Sequence, residues 1–435
     1  MSIEDKMNID ERRKYLFKMQ RRYRKADRKE KGRLLDEMET ITGMDRKYLV
    51  RLISGDLRRQ ARAQQRGRVY GPEVDDALRV IDESYDYICA ERLTPNLVWM
   101  TQHLARHGEI VLTDELVAKM AQISVSTVGR IQSRIRQDQP RRPRRRRRRS
   151  RNLTQGIPMR KIPWDVRIPG RLETDLVYHS GPDASGEFMC TLQMIDVATG
   201  WSERLAVLGR SYLVMKHAFL VILRRLPFPV IEIHPDNGSE FLNYHMIRFW
   251  GDIVQGVELS RSRPFHKNDN RNVEQKNFTL VRAYLGDDRL DSVAQVLAAN
   301  GIYHKMGVYY NLFQPVMHLT EKQTIYEDGQ PVHVKRRYDE ALTPFDRLCK
   351  TDAILPEHQQ QLEALRDRIN PRRLIQGIYD DIERLFALPG AVPGVTENVY
   401  RTLEQNLDSE KGDDDLFNFA FNRTPIRDED ELESS

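Results

Sequence analysis

The sequence predicts a multidomain protein with an all-α N-terminal region, an α/β core and a small C-terminal region of strands and helices. At 435 residues the chain is too long for one hydrophobic core, since such cores rarely grow beyond about 250–300 residues. Apolar residues recur at helical spacing before residue 140, whereas strand-like runs begin near residue 171. An arginine-rich stretch separates the two patterns and predicts a linker.

Domain boundaries are placed where composition and periodicity change. A run of like charges cannot pack into a core, and an acidic segment with few apolar residues is expected to be disordered. The predicted regions are a helical domain over 1–60, a second helical domain over 61–139, an arginine-rich linker over 140–164, the core over 165–310, an extension over 311–350, a helical region over 351–407 and a disordered acidic tail over 408–435.

The net charge of +6 is distributed unevenly along the chain. Residues 1–151 carry 37 Lys and Arg against 22 Asp and Glu, a net of +15, whereas residues 408–435 carry 3 against 10, a net of −7. A basic front end indicates a polyanionic partner, because neutralising phosphates releases their counterions. A merely solvated basic surface is the alternative. The acidic tail is a candidate for masking the basic segments.

Cysteine usage and hydropathy indicate a cytoplasmic protein with no membrane partner. Cys89, Cys190 and Cys349 are far apart and form no CxxC pair, which argues against a disulfide framework or a cysteine zinc site. We expect no membrane span, because no window of about 18 consecutive apolar residues exists. The first residues lack the apolar segment of a signal peptide.

The first helix-turn-helix pattern lies within residues 10–54. Two runs at helical spacing flank a glycine-containing turn, and the second helix of such a unit can enter a DNA major groove. We predict that Arg46, Lys47 and Arg51 contact DNA, with an ordinary helical hairpin as the alternative. The predicted core residues are Leu34, Leu35, Met38, Ile41, Tyr48, Leu49, Leu52 and Ile53.

A second helix-turn-helix pattern precedes the arginine-rich stretch. Thr113 is expected to cap its first helix, and Gln122-Ile123-Ser124 forms the turn. In the second helix we expect Val125, Val128, Ile131 and Ile135 to face inward. The residues expected to face outward, towards DNA, are Ser126, Thr127, Arg130, Gln132 and Arg134.

The arginine-rich stretch contains an unbroken run of six arginines. Such a block repels itself unless it meets phosphate, so we predict that it lies along a DNA backbone or in a minor groove. A localisation signal or a bare solvated linker are the alternatives. The residues of the run are Arg144, Arg145, Arg146, Arg147, Arg148 and Arg149.

From residue 171 the pattern changes to strands alternating with helices. The predicted order is three strands, a helix, a strand, a helix, a strand and a helix, which is the element order of an RNase H-like fold. The predicted strands are 172–178, 187–195, 201–208, 229–233 and 257–261, and the predicted helices are 211–226, 243–250 and a helix capped by Asn268 or Asp269 that runs to about residue 285. Beyond the core, a hairpin turning at 327–329 and helices over 357–387 and 395–407 are predicted.

Three acidic residues in this core have the element types of a two-metal site. Asp175 lies in a predicted strand, Asp236 follows another strand where the chain must turn, and Glu274 lies in a predicted helix. Two Mg²⁺ ions about 3.5–4 Å apart stabilise both the attacking and the leaving oxygen of a phosphodiester, and such hard cations prefer carboxylate ligands. Taken alone, Asp-Asn-Gly is usually turn chemistry and Glu274 an exposed helix residue.

Neighbouring acids are given structural roles instead. Asp196 falls at a hairpin turn, and Glu240 is expected to act in structure or in DNA positioning. We expect Glu173 to face away from Asp175. Lys267 and Lys276 flank the third acid and are predicted to bind substrate phosphates, with a solvated face as the alternative.

The segments around these acids resemble a known family. His234 to Phe241 resembles the DNGSEF motif of DDE transposases with a retroviral-integrase-like core, as found in bacterial insertion sequences. Met194 to Trp201 is similar to that family's second-strand segment, and Lys267 to Asn277 to its third-acid helix. The resemblance covers roughly residues 165–350. The chain lacks the His/Cys zinc module that precedes many retroviral integrase cores.

The resemblance implies an RNase H-like core in which Asp175, Asp236 and Glu274 are catalytic and bind two Mg²⁺ ions, with Mn²⁺ able to substitute. It also implies a bacterial, nucleoid-associated enzyme that acts as a homo-oligomer on double-stranded DNA, both transposon ends and target. A helper ATPase is left open. The alternatives are a nuclease of the same fold that cuts without joining, and a catalytically inactive DNA-binding regulator.

Overall fold

The structure is a computed structural model that describes residues 7, 9–55, 57, 69–138, 167–183, 185–235, 246, 249–254, 256–260, 271–327, 330–404 and 420–427. The chain contains an N-terminal helical region, a mixed-sheet core and a helical C-terminal region. It divides into two compact units, Met1–Val69 and Tyr70–Ser435. The second predicted helical domain, 61–139, thus shares most of its length with the unit that contains the sheet.

The N-terminal unit contains the helices α1 (Ile9–Lys25), α2 (Arg28–Thr42) and α3 (Arg46–Ser54). Gly43 ends α2 in the left-handed conformation at a φ of 63°, which a residue without Cβ adopts at little cost. Asp45 then caps α3 by accepting hydrogen bonds from the backbone of Lys47 and Tyr48. The glycine-containing turn between two helices is therefore confirmed.

Two predicted core residues of this unit are exposed. Ile41 is 41% exposed and Tyr48 is 42% exposed, so their assignment to the core is wrong. Thr42 is buried in place of Ile41, and its hydroxyl donates to the carbonyl of Met38 at 2.6 Å. That bond lets a polar residue occupy an interior position, which apolar spacing alone does not reveal.

The second unit begins with α4 (Pro72–Ser84), α5 (Ala90–Leu93), a 3₁₀ turn (Thr94–Asn96), α6 (Leu97–Arg106), α7 (Asp114–Gln122) and α8 (Val125–Asp138). Thr113 caps α7 by accepting from the backbone of Leu116, as predicted. The helices α7 and α8 are joined by a two-residue connection, which is the predicted helix-turn-helix arrangement.

Two orientations in α8 differ from the prediction. Gln132 was expected to face outward but is buried, because its amide donates to Asp82 at 2.6 Å and to the carbonyl of Ile88 at 2.9 Å. Val125 was expected to face inward but is 38% exposed at the first turn of the helix. Gln132 is buried because its partners lie far away in sequence, and apolar spacing does not predict such partners.

The central sheet has the strand order β3-β2-β1-β4-β5. Its strands are β1 (Arg171–Tyr178), β2 (Met189–Asp196), β3 (Ser202–Leu208), β4 (Glu232–Pro235) and β5 (Glu258–Leu259). β1 pairs antiparallel with β2 and parallel with β4, while β2 and β3 form the predicted hairpin. The parallel pair requires a crossover, and α9 (Tyr212–Arg225) supplies it between β3 and β4.

The edge strand β3 is covered by a helix that the sequence reading did not identify, α12 (Val293–Val308). Side-chain amides on this helical segment bond to the open edge. Asn300 exchanges two hydrogen bonds with the backbone of Ala206, and Asn311, in the π-helical turn that follows, does the same with Ser202. These bonds satisfy backbone groups that an uncovered edge would leave unpaired.

The remaining elements keep the predicted order, but the predicted helical stretch 357–387 is divided at Ile369 and Asn370, where Pro371 begins a second helix. α10 (Arg271–Lys276) continues through a π-helical turn (Asn277–Arg282) into α11 (Ala283–Leu285), and further π-helical turns are Phe249–Ile253 and Tyr309–Phe313. The hairpin of β6 (Leu319–Glu327) and β7 (Gln330–Tyr338) is confirmed, and the C-terminal helices are α13 (Pro344–Cys349), α14 (Pro356–Arg368), α15 (Pro371–Ala387) and α16 (Tyr400–Glu404).

Part of the predicted disordered tail is held against the core. Within 408–435, residues 420–427 are described and bond to the body of the second unit. The backbone N–H of Phe421 donates to the carbonyl of Arg224 at 2.7 Å, and Ile426 forms a β-bridge with Val254. For residues 420–427 the prediction of disorder is therefore wrong, because the apolar Phe421 and Ile426 pack on the core despite the acidic composition of the tail.

One hydrophobic core runs through the second unit. It contains Leu78 of α4, Leu104 of α6, Leu192 of β2, Ile302 of α12 and Ile378 of α15, all buried. The helical region that precedes the sheet thus packs in the same apolar interior as the sheet and the C-terminal helices. Among the described residues, no helix is long and apolar enough to cross a bilayer.

Candidate active site

Asp175 is the fifth of the eight residues of β1 and is half-buried. Its Oδ1 accepts a hydrogen bond from the backbone N–H of Leu176 at 2.8 Å. Its Oδ2 accepts one from the amide Nδ2 of Asn277, one helical turn beyond Glu274 in sequence, at 2.6 Å. The strand-borne acid is therefore tied to the helical segment that carries the third predicted acid.

Glu173 lies on the same face of β1 as Asp175, which corrects the expectation that it faces away. Residues two apart in a strand share a face, and the expectation misapplied that rule. Glu173 is buried and its Oε2 accepts from the backbone N–H of Val273 at 3.0 Å. Two carboxylates of β1 thus hold successive turns of the same helical segment, at Val273 and at Asn277.

The parallel strand β4 approaches the same end of β1. The register pairs Glu173 with His234 and Thr174 with Pro235, where β4 ends. The residue that follows each member of the last pair is a predicted acid, Asp175 in one strand and Asp236 in the other. Asp236 itself lies outside the described residues.

A buried polar network supports β4 beside this site. Glu232 forms an ion pair with Arg171 of β1 and accepts from the hydroxyl of Ser260 at 2.5 Å. Nδ1 of His234 lies 2.7 Å from the same hydroxyl. Since buried polar groups are costly unless they are paired, these bonds fix the spacing of β1, β4 and the segment after β5.

Glu274 lies in α10, and its side chain is outside the described residues. Its backbone position lies one residue after Val273 and three before Asn277, the two residues that bond to β1. Positions three apart are neighbours on a helix surface, so position 274 adjoins the side that faces Asp175. Within the described part of the chain, no three His, Cys, Asp or Glu side chains form a metal cluster. The three-acid site stays a prediction.

Lys276 is half-buried between the helical and sheet regions. Burial, followed by the nearby charges of Arg92 and Arg204, lowers the pKa of its ammonium to about 7. The role of Lys276 as a phosphate ligand stays a prediction. Lys267, the other predicted phosphate ligand here, lies outside the described residues.

Asp196 has a structural role, as predicted. It is buried at the turn between β2 and β3, and it accepts from the backbone N–H groups of Gly170 and Thr199 at 2.8 Å and from the Thr199 hydroxyl at 2.6 Å. Burial raises the pKa of this carboxyl to about 6 despite those bonds. Glu240 lies outside the described residues.

The predicted DNA-contacting residues of α3 differ in the contacts they make within the protein. Arg46 forms ion pairs with Asp36 and Glu39 of α2, which hold α3 against its partner helix. Lys47 is exposed, and the guanidinium of Arg51 lies 5.1 Å from the ring centroid of Tyr48. Lys47 and Arg51 thus remain on the open side of α3, whereas Arg46 also serves the fold.

In α8 the predicted contact residues form an exposed stripe. Ser126 and Arg130 are exposed, and Arg130 bonds back to the carbonyl of Ser126 and the hydroxyl of Thr127. Arg134 is exposed but pairs with Asp75 of α4 at 2.6 Å. The arginine run Arg144 to Arg149 lies outside the described residues.

Sequence reasoning missed several residues that the structure places beside Asp175 or in the same row across the sheet. Asn277 was detectable, since it lies three residues after Glu274 in a predicted helix. Gln193 and Arg204 were not, because they reach Asp175 only through strand register. Their sequence neighbours gave no sign of this pairing.

Comparisons with known proteins add a relative and a distant structure. No family model matches the chain. A protein of Sinorhizobium fredii (strain NBRC 101917 / NGR234), called uncharacterized protein y4rM, is 34% identical over 327 residues, which cover 75% of this chain and 91% of that protein. A simian T-cell lymphotropic virus intasome, solved in complex with PP2A regulatory subunit B56 gamma, matches with 12% identity and a TM-score of 0.28, over 50% of this chain and 70% of that chain. A TM-score this low carries no argument.

Proposed function

The chain belongs to the same family as protein y4rM of Sinorhizobium fredii, and we propose that it is a DNA transposase of the DDE type. It binds the transposon ends, cleaves the DNA at their 3′ ends and transfers these 3′ ends into target DNA. The observation that carries the proposal is the strand register, which pairs Thr174 with Pro235 immediately before two predicted acids. The helical segment of the third acid bonds to the same end of β1.

The sheet supports an RNase H-like core. Its order β3-β2-β1-β4-β5, with β2 antiparallel to the rest of the centre and a helix between β3 and β4, agrees with the element order that the sequence predicts for that fold. Fold alone does not decide function, so the acids must carry the argument. The arginine-rich linker over 140–164, as a boundary between the helical region and the core, remains part of the proposal.

The donor set fits magnesium rather than zinc. Asp175 offers a half-buried carboxylate, and Asp236 and Glu274 would complete an all-oxygen site without histidine or cysteine. When bound, two such ions would stabilise the negative charge on the attacking and leaving oxygens of a phosphodiester. The residues of this chain orient the carboxylates: Asn277 holds Asp175, and Glu173 holds the backbone of α10.

DNA binding is assigned to exposed basic faces. The stripe of α8 ends directly before the arginine-rich linker, so both would follow one DNA backbone. Lys47 and Arg51 of α3 provide a second basic face, in the separate N-terminal unit. Joining two DNA ends to one target favours assembly as a homo-oligomer.

The test is a strand-transfer assay with labelled DNA that carries the element's own ends, with and without Mg²⁺. We expect metal-dependent joining to a second duplex by the natural chain. We expect Asp236→Asn and Asp175→Asn to reduce joining by at least about a thousandfold while DNA affinity is retained, because ligand loss removes the metals rather than the basic faces.

Three results would contradict the proposal. Cutting without joining would identify a nuclease of the same fold. DNA binding without metal-dependent chemistry in any variant would identify an inactive regulator. Joining that survives both substitutions would show that the acids are wrongly assigned. A Glu321→Gln variant, in the β6–β7 hairpin away from the acids, is the matched control and should join at the natural rate.

A further inference from the structure

A row of polar side chains crosses the central sheet beside the proposed acids. The register pairs Asp175 of β1 with Gln193 of β2, and Gln193 with Arg204 of β3. Side chains paired across neighbouring strands share a face, with Cβ atoms about 4.5–5.5 Å apart. Gln193 therefore stands between a carboxylate and a guanidinium, on the face that also meets α10.

This row is buried and incompletely bonded. Gln193 is 0% exposed and Arg204 is 1% exposed. In the described part of the chain, neither amide atom of Gln193 has a hydrogen-bond partner, and neither do Nε and Nη1 of Arg204. Buried polar atoms are rarely left without partners because this is costly, so two adjacent residues with four such atoms call for a functional reason.

The surroundings keep Arg204 in place without neutralising it. Its Nη2 donates to the hydroxyl of Ser202 at 2.8 Å, and its guanidinium lies 5.9 Å from the ring centroid of Tyr310. Neither of these two partners is anionic, and Glu203, whose charge acts on Arg204, precedes it in β3 and therefore faces the other side of the sheet. Burial lowers the pKa of the Arg204 guanidinium, but arginine retains its proton in proteins. Arg204 is thus a buried cation on the same face of the sheet as Gln193 and Asp175.

The chemistry of the middle residue matches both ends. A glutamine amide has an oxygen that accepts and a nitrogen that donates, so it can take a hydrogen bond from a guanidinium and give one to a carboxylate. A carboxylate has about four acceptor positions, so Asp175 can accept several hydrogen bonds at once, as it does from Leu176 and Asn277.

We propose that Arg204 is a positioning residue that acts through Gln193 to orient the Asp175 carboxylate for metal binding. Neither bond is made in this structure; when the site holds metal, Arg204 donates to Oε1 of Gln193 and Nε2 of Gln193 donates to Asp175. Outer hydrogen bonds of this kind orient metal-binding side chains. The inference rests on the proposed function, because it assumes that Asp175 is a metal ligand.

A matched control lies on the other face of the sheet. Arg225, at the end of α9, also has a buried guanidinium nitrogen, Nη1, without a hydrogen-bond partner. Its nearest charge is Glu203, which precedes Arg204 and therefore points to the opposite face. Substituting Arg225 therefore shows the effect of losing a buried arginine that lies outside the row.

The experiment measures Mn²⁺ binding by electron paramagnetic resonance in the full chain without DNA, together with the thermal midpoint. The variants are Gln193→Met, Arg204→Met, Arg204→Lys, the Gln193/Arg204→Met pair, Arg225→Met and Asp175→Asn. We expect each methionine change in the row to raise the Mn²⁺ dissociation constant about tenfold. The pair should do no more than the larger single change, because both break one chain of bonds. Arg225→Met should lower the thermal midpoint without changing Mn²⁺ affinity.

The outcomes separate this inference from the proposed function. If the natural chain binds Mn²⁺ and Asp175→Asn abolishes it, but the row variants bind as the natural chain does, only the positioning role is overturned. Additive effects in the pair, or an equal loss in Arg225→Met, also overturn it. A natural chain that binds no Mn²⁺ overturns both. Should Arg204→Met fail to fold, Gln193→Met and Arg204→Lys carry the same test.

Discussion

Asp175 shows how one side chain joins separate parts of a site. Its two oxygens take hydrogen bonds from its own strand and from Asn277, which lies 102 residues later. With Glu173 bonded to Val273, the face of β1 that carries both acids fixes the helical segment of Glu274. The orientation of the Asp175 carboxylate is thus set on two sides.

At the same scale, His103 makes the fold sensitive to acid. It is buried in α6, its Nε2 lies 2.9 Å from the carbonyl of Ile369, and its Nδ1 faces Arg106 at 3.2 Å. Burial, outweighing the Ile369 bond, lowers the pKa of this imidazole to about 4, with the charges of His107 and Arg106 acting in the same direction and Asp367 against them. The neutral ring is thus the form that the fold stabilises.

We expect His103→Gln to flatten the dependence of stability on pH. The unfolded histidine takes up a proton near pH 6.5 and the folded one does so only near pH 4, so stability is full above pH 6.5 and falls as the pH drops towards 4. Between pH 7 and pH 5 the natural chain should lose on the order of 1–2 kcal/mol more than the variant. Urea unfolding at both pH values measures the difference. Equal losses in the two proteins would contradict the assignment.

At the scale of elements, the covered edge of β3 is the clearest design feature. Asn300 and Asn311 each satisfy both backbone groups of one edge residue, Ala206 and Ser202. All four bonds are buried, and a fifth, from Asn311 to Glu203 at 3.3 Å, is partly buried. An amide side chain suits this task because it carries one acceptor and a donor in the geometry of a neighbouring strand.

Replacing Asn300 with leucine should destabilise the second unit by on the order of 2–4 kcal/mol, because it leaves the N–H and C=O of Ala206 buried without partners. Ala294→Met is the matched control, since it enlarges an exposed residue of the same helix without removing a bond to the sheet edge. It should cost less than the leucine change. Urea unfolding of the three proteins gives the free energies. A leucine variant as stable as the natural chain would show that the edge is satisfied in another way.

Helices and strands were predictable where one face of the element is apolar and the other polar. Strands β1, β2 and β3 and helix α9 were predicted within a few residues, because their alternation or helical spacing is regular. The helix α12 was missed because it is apolar on nearly all sides, from Val296 to Met306, as a helix buried all round must be. Within the site, Asp175 was predictable from its strand, but Gln193 and Arg204 were not, since pairing between strands depends on register.

At the scale of the whole molecule, the division at residue 69 predicts which truncations fold. Each unit has its own apolar core. We therefore expect a chain of residues 70–435 to unfold cooperatively, with a thermal midpoint within a few degrees of the corresponding transition of the full chain. A chain of residues 139–435 should lose cooperative unfolding, because removing α4 to α8 uncovers the core that Leu78, Met100 and Leu104 help to fill.

Differential scanning calorimetry of the two truncated chains checks this expectation. A cooperative transition in residues 139–435 would show that the sheet and C-terminal helices form a core without the preceding helices. Failure of residues 70–435 to fold would show that the division at 69 does not separate independent units.

The shared interior also limits how this protein can be diversified by recombination. The helices α4 to α8 pack in the same core as the sheet and α15, so replacing them with those of a relative would change that core as well as the exposed stripe. Cores tolerate such exchange poorly unless volume and shape are matched. A change of DNA sequence preference is therefore expected to arise by substitutions on the outer face of α8, at Ser126, Thr127 and Arg130, while the N-terminal unit remains the part that can be exchanged whole.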